Sequence, residues 1–420
     1  MILIYSEHIS TRLTYVLDFV FKVKNEEFLI TQSTKEFKDY SGLKINYSTL
    51  ALSAETTIIP EGLLSEISIR ESINVNFDSI NNDWSINGGK DHFSIVFFFL
   101  TCYEEYYIND RDEHDRFSAK SSTLTKNNRL HKPNVDLLII SIWNTLGLDY
   151  SKIRNNYKSI ITFDIDSAWA VKNKTIIRSL GSDIKSLIKG ESLLTKKGIR
   201  KGDLNDPFDT FNYIKTLTDK NEIICFFLLG NWSKFDKNIN WKNQQLQSLI
   251  KDLISKVNVG IHPSYNSYLS NKTVKNELGR LNDITNQKNT LSRQHFLKLK
   301  LPQSYEILES IGIKNDYSMG FAENVGFRSG TARAHKWFDI KRNEVTELTL
   351  HPFAYMDGTL LEYMLLTPEE SKVRIQKLYA EIQDFGGSFI FLWHNETIGE
   401  YGKWKGWSPV LDFTLNLKNE

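Results

Sequence analysis

The chain has 420 residues, of which 40% are hydrophobic, 12% aromatic and 25% charged. That length calls for more than one ordinary domain, and the composition excludes extensive disorder. Lys and Arg number 52 against 51 Asp and Glu, a formal charge of +1, so no net field draws the whole molecule to nucleic acid or acidic lipid. The two cysteines, Cys102 and Cys225, are too few for a disulfide framework or a cysteine-rich zinc site.

Up to about residue 150, short strand-like runs (MILIY from Met1, FLIT from Phe28, STLALS from Ser48) mix with helical stretches, notably DHFSIVFFFLTCYEEYY from Asp91 and NVDLLIISIWNTLGL from Asn134. The longest apolar run, FSIVFFFLTCY, is about half of the ~20 residues that a membrane helix needs. The opening MILIYSEHIS lacks the positive segment of a signal peptide. The expectation is a cytoplasmic protein with no membrane span and no nucleic-acid partner. The charged stretch between residues 108 and 133, with His114 and His131, reads as an ordered surface loop outside any catalytic cluster.

From Tyr157 onward the texture changes to apolar strands separated by amphipathic helices: SIITFDID, IICFFLLG, VNVGIH and SFIFLWHN. This is βα alternation. Continuous apolar runs indicate strands covered on both faces, as in a parallel sheet or a (β/α) barrel. Asp206-Pro207 with Asp209 has the chemistry of one helix cap, and Thr367-Pro368-Glu369-Glu370 that of another. The expected organisation is a smaller mixed α/β domain over 1–150, then a distorted (β/α) barrel over 151–420.

In a parallel barrel, polar residues at the C-terminal strand ends face one pocket, where catalytic groups collect. Three strands end that way: one in Asp164 and Asp166, one in His262 with Ser264 and Asn266, one in His394, Asn395 and Glu396. Carboxylate and imidazole ligands suit a divalent metal, zinc foremost, which makes a nucleophile of its water near neutral pH. A carboxylate off the metal can take the water's proton, and a His across the pocket can protonate the leaving group.

At these residues the chain resembles the polysaccharide deacetylases of carbohydrate esterase family 4, the NodB-homology fold, over roughly 155–400. TFDID resembles that family's Thr-Phe-Asp-Asp motif with one residue inserted, which implies Asp164 as general base and Asp166 as metal ligand. HPSYN resembles His-Ser/Thr-x-x-His, implying His262 as ligand, with Asn266 where the second His should stand. His295, in LSRQHFLKL beside Arg293, is the other candidate third ligand. GFRSG resembles the Arg-Pro-Pro-Tyr-type motif, implying that Arg328 pairs with Asp164. FLWHN resembles Leu-x-x-His, with His394 as general acid. The wording of HPSYNS, RQHFL, DYSMGFAENVGFRSG and LWHN is similar to a bacterial branch that carries an additional N-terminal domain of unknown role.

The resemblance implies a zinc-dependent hydrolase that removes N-acetyl groups from an amino sugar in a glycan or glycan precursor. Trp169, Tyr265, Trp393 and Trp404 are candidate faces for sugar rings. Two other readings stay open: a glycan-binding relative with a degenerate metal site, and a nucleotide-sugar glycosyltransferase whose metal sits on Asp164 and Asp166.

Overall fold

Apolar and β-branched runs build two larger sheets and a two-stranded hairpin among the described residues. The computed structural model describes residues 1–23, 25–150, 157–188, 193–219 and 221–417. The first sheet is parallel, in the order β2-β1-β3-β4, from β1 (Ile2–Ser6), β2 (Phe28–Thr31), β3 (Leu43–Tyr47) and β4 (Thr56–Thr57). A hairpin of β5 (Val75–Asp78) and β6 (Asp83–Ile86) follows. The expected strand STLALS is not one. Ser48 bonds the Asn46 side chain, Asn46 donates to the Leu50 carbonyl, and Leu50 N–H donates back to Ser48. These local bonds turn the chain just past β3.

The run FSIVFFFL forms the helix His92–Leu100, N-capped by Asp91 and buried from Phe93 to Leu100. A helix that is apolar all round belongs inside, and this one is the middle of the first core. That core also takes in Phe321, Phe338 and Ile340 from far along the chain. The two parts are stitched further by Phe327 N–H on the Leu130 carbonyl (2.8 Å) and Val135 N–H on the Gly330 carbonyl (2.9 Å). Gly326 is required at this seam: its φ is +129°, and a Cβ there would strike the Leu130 carbonyl. The expected boundary at 150/151 abuts residues 151–156, which lie outside the described residues.

The second sheet has nine strands: β7 (Tyr157–Ile165), β8 (Glu222–Phe227), β9 (Asn258–Ile261), β10 (Leu291–Ser292), β11 (Asn315–Asp316), β12 (His335–Asp339), β13 (Glu344–Leu350), β14 (Tyr355–Met356) and β15 (Gly387–His394). Their order is β12-β13-β11-β10-β9-β8-β7-β15-β14. Only the β12–β13 pairing is antiparallel. Among the described residues β12 and β14 do not pair, so this is a mixed, incompletely closed, barrel-like α/β sheet. Its centre, β9-β8-β7-β15, is built from the four apolar runs read from the sequence. Thr367 and Glu370 form the full capping box at Pro368–Phe385. Asp206 does something other than cap: its carboxylate accepts the N–H groups of Ala170, Val171 and Lys172 at 2.8–2.9 Å, clamping the segment that leaves β7.

Candidate metal centre and active site

Register brings the polar strand ends together. Asp164 lies opposite His394 on one side and Phe226 on the other. Ile261 pairs with Phe227 and Ser292, so His262 and Arg293, each one residue further, reach the same rim. Side chains two apart on a strand share a face, which is why Asp-Ile-Asp delivers both acids to one place.

Asp166, His262 and His295 offer ligand atoms that all lie within 4.8 Å of one another. Asp166 Oδ1 is 3.3 Å from His262 Nε2, and its Oδ2 is 3.3 Å from His295 Nε2. Two ligands bound tetrahedrally at zinc distances of ~2.0–2.1 Å stand roughly 3.3 Å apart, so the spacing fits an ion. The other ring nitrogens are tied down. His262 Nδ1 is 2.6 Å from the Arg293 carbonyl and His295 Nδ1 is 3.0 Å from Asp236 Oδ1, the outer partners that turn Nε2 toward a metal. Asp166 Oδ1 is buried with no hydrogen-bond partner, as a ligand atom without its ion would be. This Asp/His/His cluster is capable of holding a divalent metal.

Electrostatics agree with the geometry. Burial pushes the Asp166 carboxyl up, but the His295 charge and the two imidazoles that face it outweigh burial and hold the group well below the usual carboxylate range. Burial likewise opposes charge on His295, yet Asp166 and then Asp236 raise its pKa to about 9. An ion held by these three side chains would displace the proton that the cluster otherwise shares.

Asp164, 3% exposed, stands beside the cluster with Oδ2 3.6 Å from His262 Nε2. The guanidinium next to it belongs to Arg293, whose Nη1 is 3.6 Å from Asp164 Oδ1. Arg293 is fully buried between the rings of Phe226 and Phe353, and its three nitrogens make no hydrogen bond among the described residues. The sequence assigned this pairing to Arg328, and the structure corrects it. Arg328 forks instead onto Glu105, at 2.8 and 2.6 Å, 223 residues away, with its third bond on the Gly320 carbonyl.

Across the cleft, His394 Nδ1 is 2.8 Å from Asp357 Oδ1. Asp357 also accepts the His394 N–H at 2.8 Å and the Thr397 hydroxyl at 2.5 Å. Burial opposes charge on His394, but Asp357 outweighs it and raises the imidazole well above its ordinary range.

Between these groups lies a cavity of about 220 Å³, lined by Asp164, Asp166, His262, His295 and His394 together with Arg116, Glu362, Tyr363, Glu396 and Trp404. Glu396 accepts from Trp404 Nε1 at 3.3 Å, and burial raises its carboxyl. Of the four candidate aromatics only Trp404 lines it. Trp169 and Trp393 are core residues, and Tyr265 packs tilted against Phe235, with ring centroids 4.2 Å apart. Asn266 is exposed, and its backbone N–H donates to Asp236 at 3.3 Å. His114 packs on Tyr265 and Phe296. The loop around it is not wholly outside the site, because Arg116 reaches the cavity wall and bonds Asp112, the Phe296 carbonyl and Tyr363.

Sequence reading missed Asp236, Asp357 and Arg116. Asp357 sits in MDGT and Asp236 in SKFDK, where an acid looks like any turn residue.

Residues 2–151 match the model of a "Family of unknown function (DUF7033)". No curated protein matches the sequence. Among solved structures the chain is similar to a protein assigned as a polysaccharide deacetylase from Mycobacterium smegmatis (TM-score 0.40, 10% identity, 62% of this chain and 84% of that one). It is also similar to one so assigned from Pseudomonas aeruginosa (0.38, 8%, 63% and 84%) and to the polysaccharide deacetylase of Bacillus cereus (0.30, 10%, 62% and 87%). At these values the likeness carries no functional argument, and the site stands on its own geometry.

Proposed function

We propose that the chain is a metal-dependent hydrolase that removes an N-acetyl group from an amino sugar in a glycan or glycan precursor. In this reading 151–420 is the catalytic unit, of polysaccharide-deacetylase type, and 1–150 is an accessory unit. The observation that carries it is the facing arrangement of an Asp/His/His cluster, an adjacent carboxylate and an opposed His–Asp pair around one cavity.

Asp166, His262 and His295 would hold the ion, zinc by their chemistry, which when bound polarises a carbonyl and makes water nucleophilic near neutral pH. Asp164 takes a proton from the attacking water as general base. Arg293 fixes the orientation of that carboxylate with a buried positive charge. His394, its Nδ1 held by Asp357, presents Nε2 to the cavity and protonates the departing amine. The C–N bond breaks, and acetate and the free amino sugar leave. Trp404 would supply apolar surface to a sugar ring and Glu396 an oxygen to sugar hydroxyls. The degenerate-site reading rested on Asn266, and His295 supplies what Asn266 lacks.

The test is acetate release from N-acetylglucosamine and its short oligomers by zinc-loaded protein, with Asp164→Asn as control. Release by the wild type alone is expected. No release from any acetylated amino sugar, or equal release by the variant, contradicts the proposal.

A further inference from the structure

The segment between β7 and β8 carries a helix that faces the wrong way. In Ile176–Ile188, at ~100° per residue, Ile176, Ile177, Leu180, Ile184, Leu187 and Ile188 fall within a sector of roughly 120°. A helix on a globular protein turns such a stripe to the core. Here all six are 57–83% exposed, and the polar side holds the helix to the body. Arg178 donates to the Lys237 and Asn238 carbonyls at 2.6 Å. From the neighbouring helix Leu194–Lys201, Lys196 donates to Ser182 and Ser186 at 2.8 and 2.6 Å, and Arg200 forks onto Asp183 at 2.7 Å.

Charge marks the same segment. The described residues 172–188 and 193–203 contain eight Lys and Arg against two Asp and Glu, a net +6 in a chain whose total is +1. Nearby, Trp232 is 60% exposed, with Lys237 5.0 Å over its ring.

We infer that this helix pair is a docking surface for an anionic membrane, the apolar face entering the headgroup boundary and the cations meeting acidic lipids. Arg178, Lys196 and Arg200 serve the helix pair itself, but Lys197 and Lys201 stay exposed, and a purely apolar partner surface would use the stripe and leave them without a role. An anionic bilayer uses both, as interfacial helices do. A bilayer also suits a stripe whose length follows one helix and whose aromatic neighbour, Trp232, has the amphipathic ring favoured at membrane interfaces. The overall charge of the chain does not oppose this, since the attraction is local and acts within a Debye length.

The placement bears on substrate. The Lys237 and Asn238 carbonyls that hold the helix adjoin Asp236, which orients His295, and Asp206 clamps the segment just before it. The surface therefore lies at the strand ends that carry the metal cluster. Resting on the function proposed above, the substrate class is an amino sugar carried on a lipid.

The test is co-sedimentation of the full chain with vesicles of phosphatidylcholine alone and with phosphatidylglycerol added, for wild type, Asp164→Asn and the triple variant Ile177→Ser/Leu180→Ser/Ile184→Ser. These positions are more than half exposed, so unchanged thermal unfolding certifies the fold. The wild type is expected to bind only the anionic vesicles and to be released by salt. The triple variant should bind about tenfold more weakly or less. Asp164→Asn should bind like wild type, which separates docking from the catalytic reading. On a lipid-linked acetylated amino sugar in the same vesicles the triple variant should lose activity while keeping it on a soluble one. Absent vesicle binding, binding unchanged in the triple variant, or a wild-type dimer that the variant abolishes would overturn the inference.

Discussion

Replacing Glu105 with Gln tests how the N-terminal part is joined to the second sheet. The Glu105 carboxylate takes both arms of the Arg328 fork, at 2.8 and 2.6 Å, and the two side chains are 1% and 3% exposed. Gln preserves the shape but leaves the guanidinium without a countercharge where water cannot reach it. Breaking one side of such a pair costs about 3–5 kcal/mol, a large share of the ~5–15 kcal/mol that keeps a protein folded. With a urea m-value of about 3 kcal/mol/M the unfolding midpoint falls by about 1–2 M, read by tryptophan fluorescence and far-UV circular dichroism. Glu105→Leu combined with Arg328→Met removes both charges and recovers most of the loss. A midpoint unmoved by Glu105→Gln would rule out a structural role for the pair. So would folded Arg328→Met with turnover lost out of proportion to stability, which would return Arg328 to Asp164.

Asp164→Asn should leave metal content intact and lower kcat by about 10²–10⁴, checked by elemental analysis and acetate release on one preparation. In Asp357→Asn the raised His394 pKa falls. The acid form persists below that pKa and is lost as pH rises through it, so the alkaline limb of kcat/KM moves to lower pH in the variant. Metal binding should weaken as pH falls from about 9, where His295 in the metal-free protein takes up its proton; titration calorimetry in two buffers of different ionisation enthalpy would register the released proton. Gly326→Ala should lower the thermal midpoint, since its Cβ meets the Leu130 carbonyl.

The central strands were legible because a strand buried on both faces reads as an uninterrupted apolar run, and β7, β8, β9 and β15 are such runs. Their polar ends were legible for the same reason: Asp164, Asp166, His262 and His394 interrupt a pattern that has no other use for charge. His295 was visible as a candidate through its neighbour Arg293, and the structure brings it to Asp166 while Asn266 points to solvent. Motif wording failed at Arg328. A pairing across 223 residues depends on where the helix His92–Leu100 sits, and no local pattern encodes that. Asp236 and Arg116 lie in loops, where acids and arginines are common, and Asp357 opens a short helical turn directly after β14; only packing shows that they hold His295, the cavity wall and His394. The outward stripe at Ile176–Ile188 was equally invisible: periodicity gives the apolar face of a helix but not the side to which it turns.

The most direct test of the account is the metal content of purified protein reconstituted with zinc, for wild type, His262→Ala, His295→Ala and Asn266→Ala. A site built from Asp166, His262 and His295 requires about one ion per chain in wild type and Asn266→Ala, and loss of the ion in both His variants. Retention of zinc in His295→Ala, or no zinc in wild type, would contradict it.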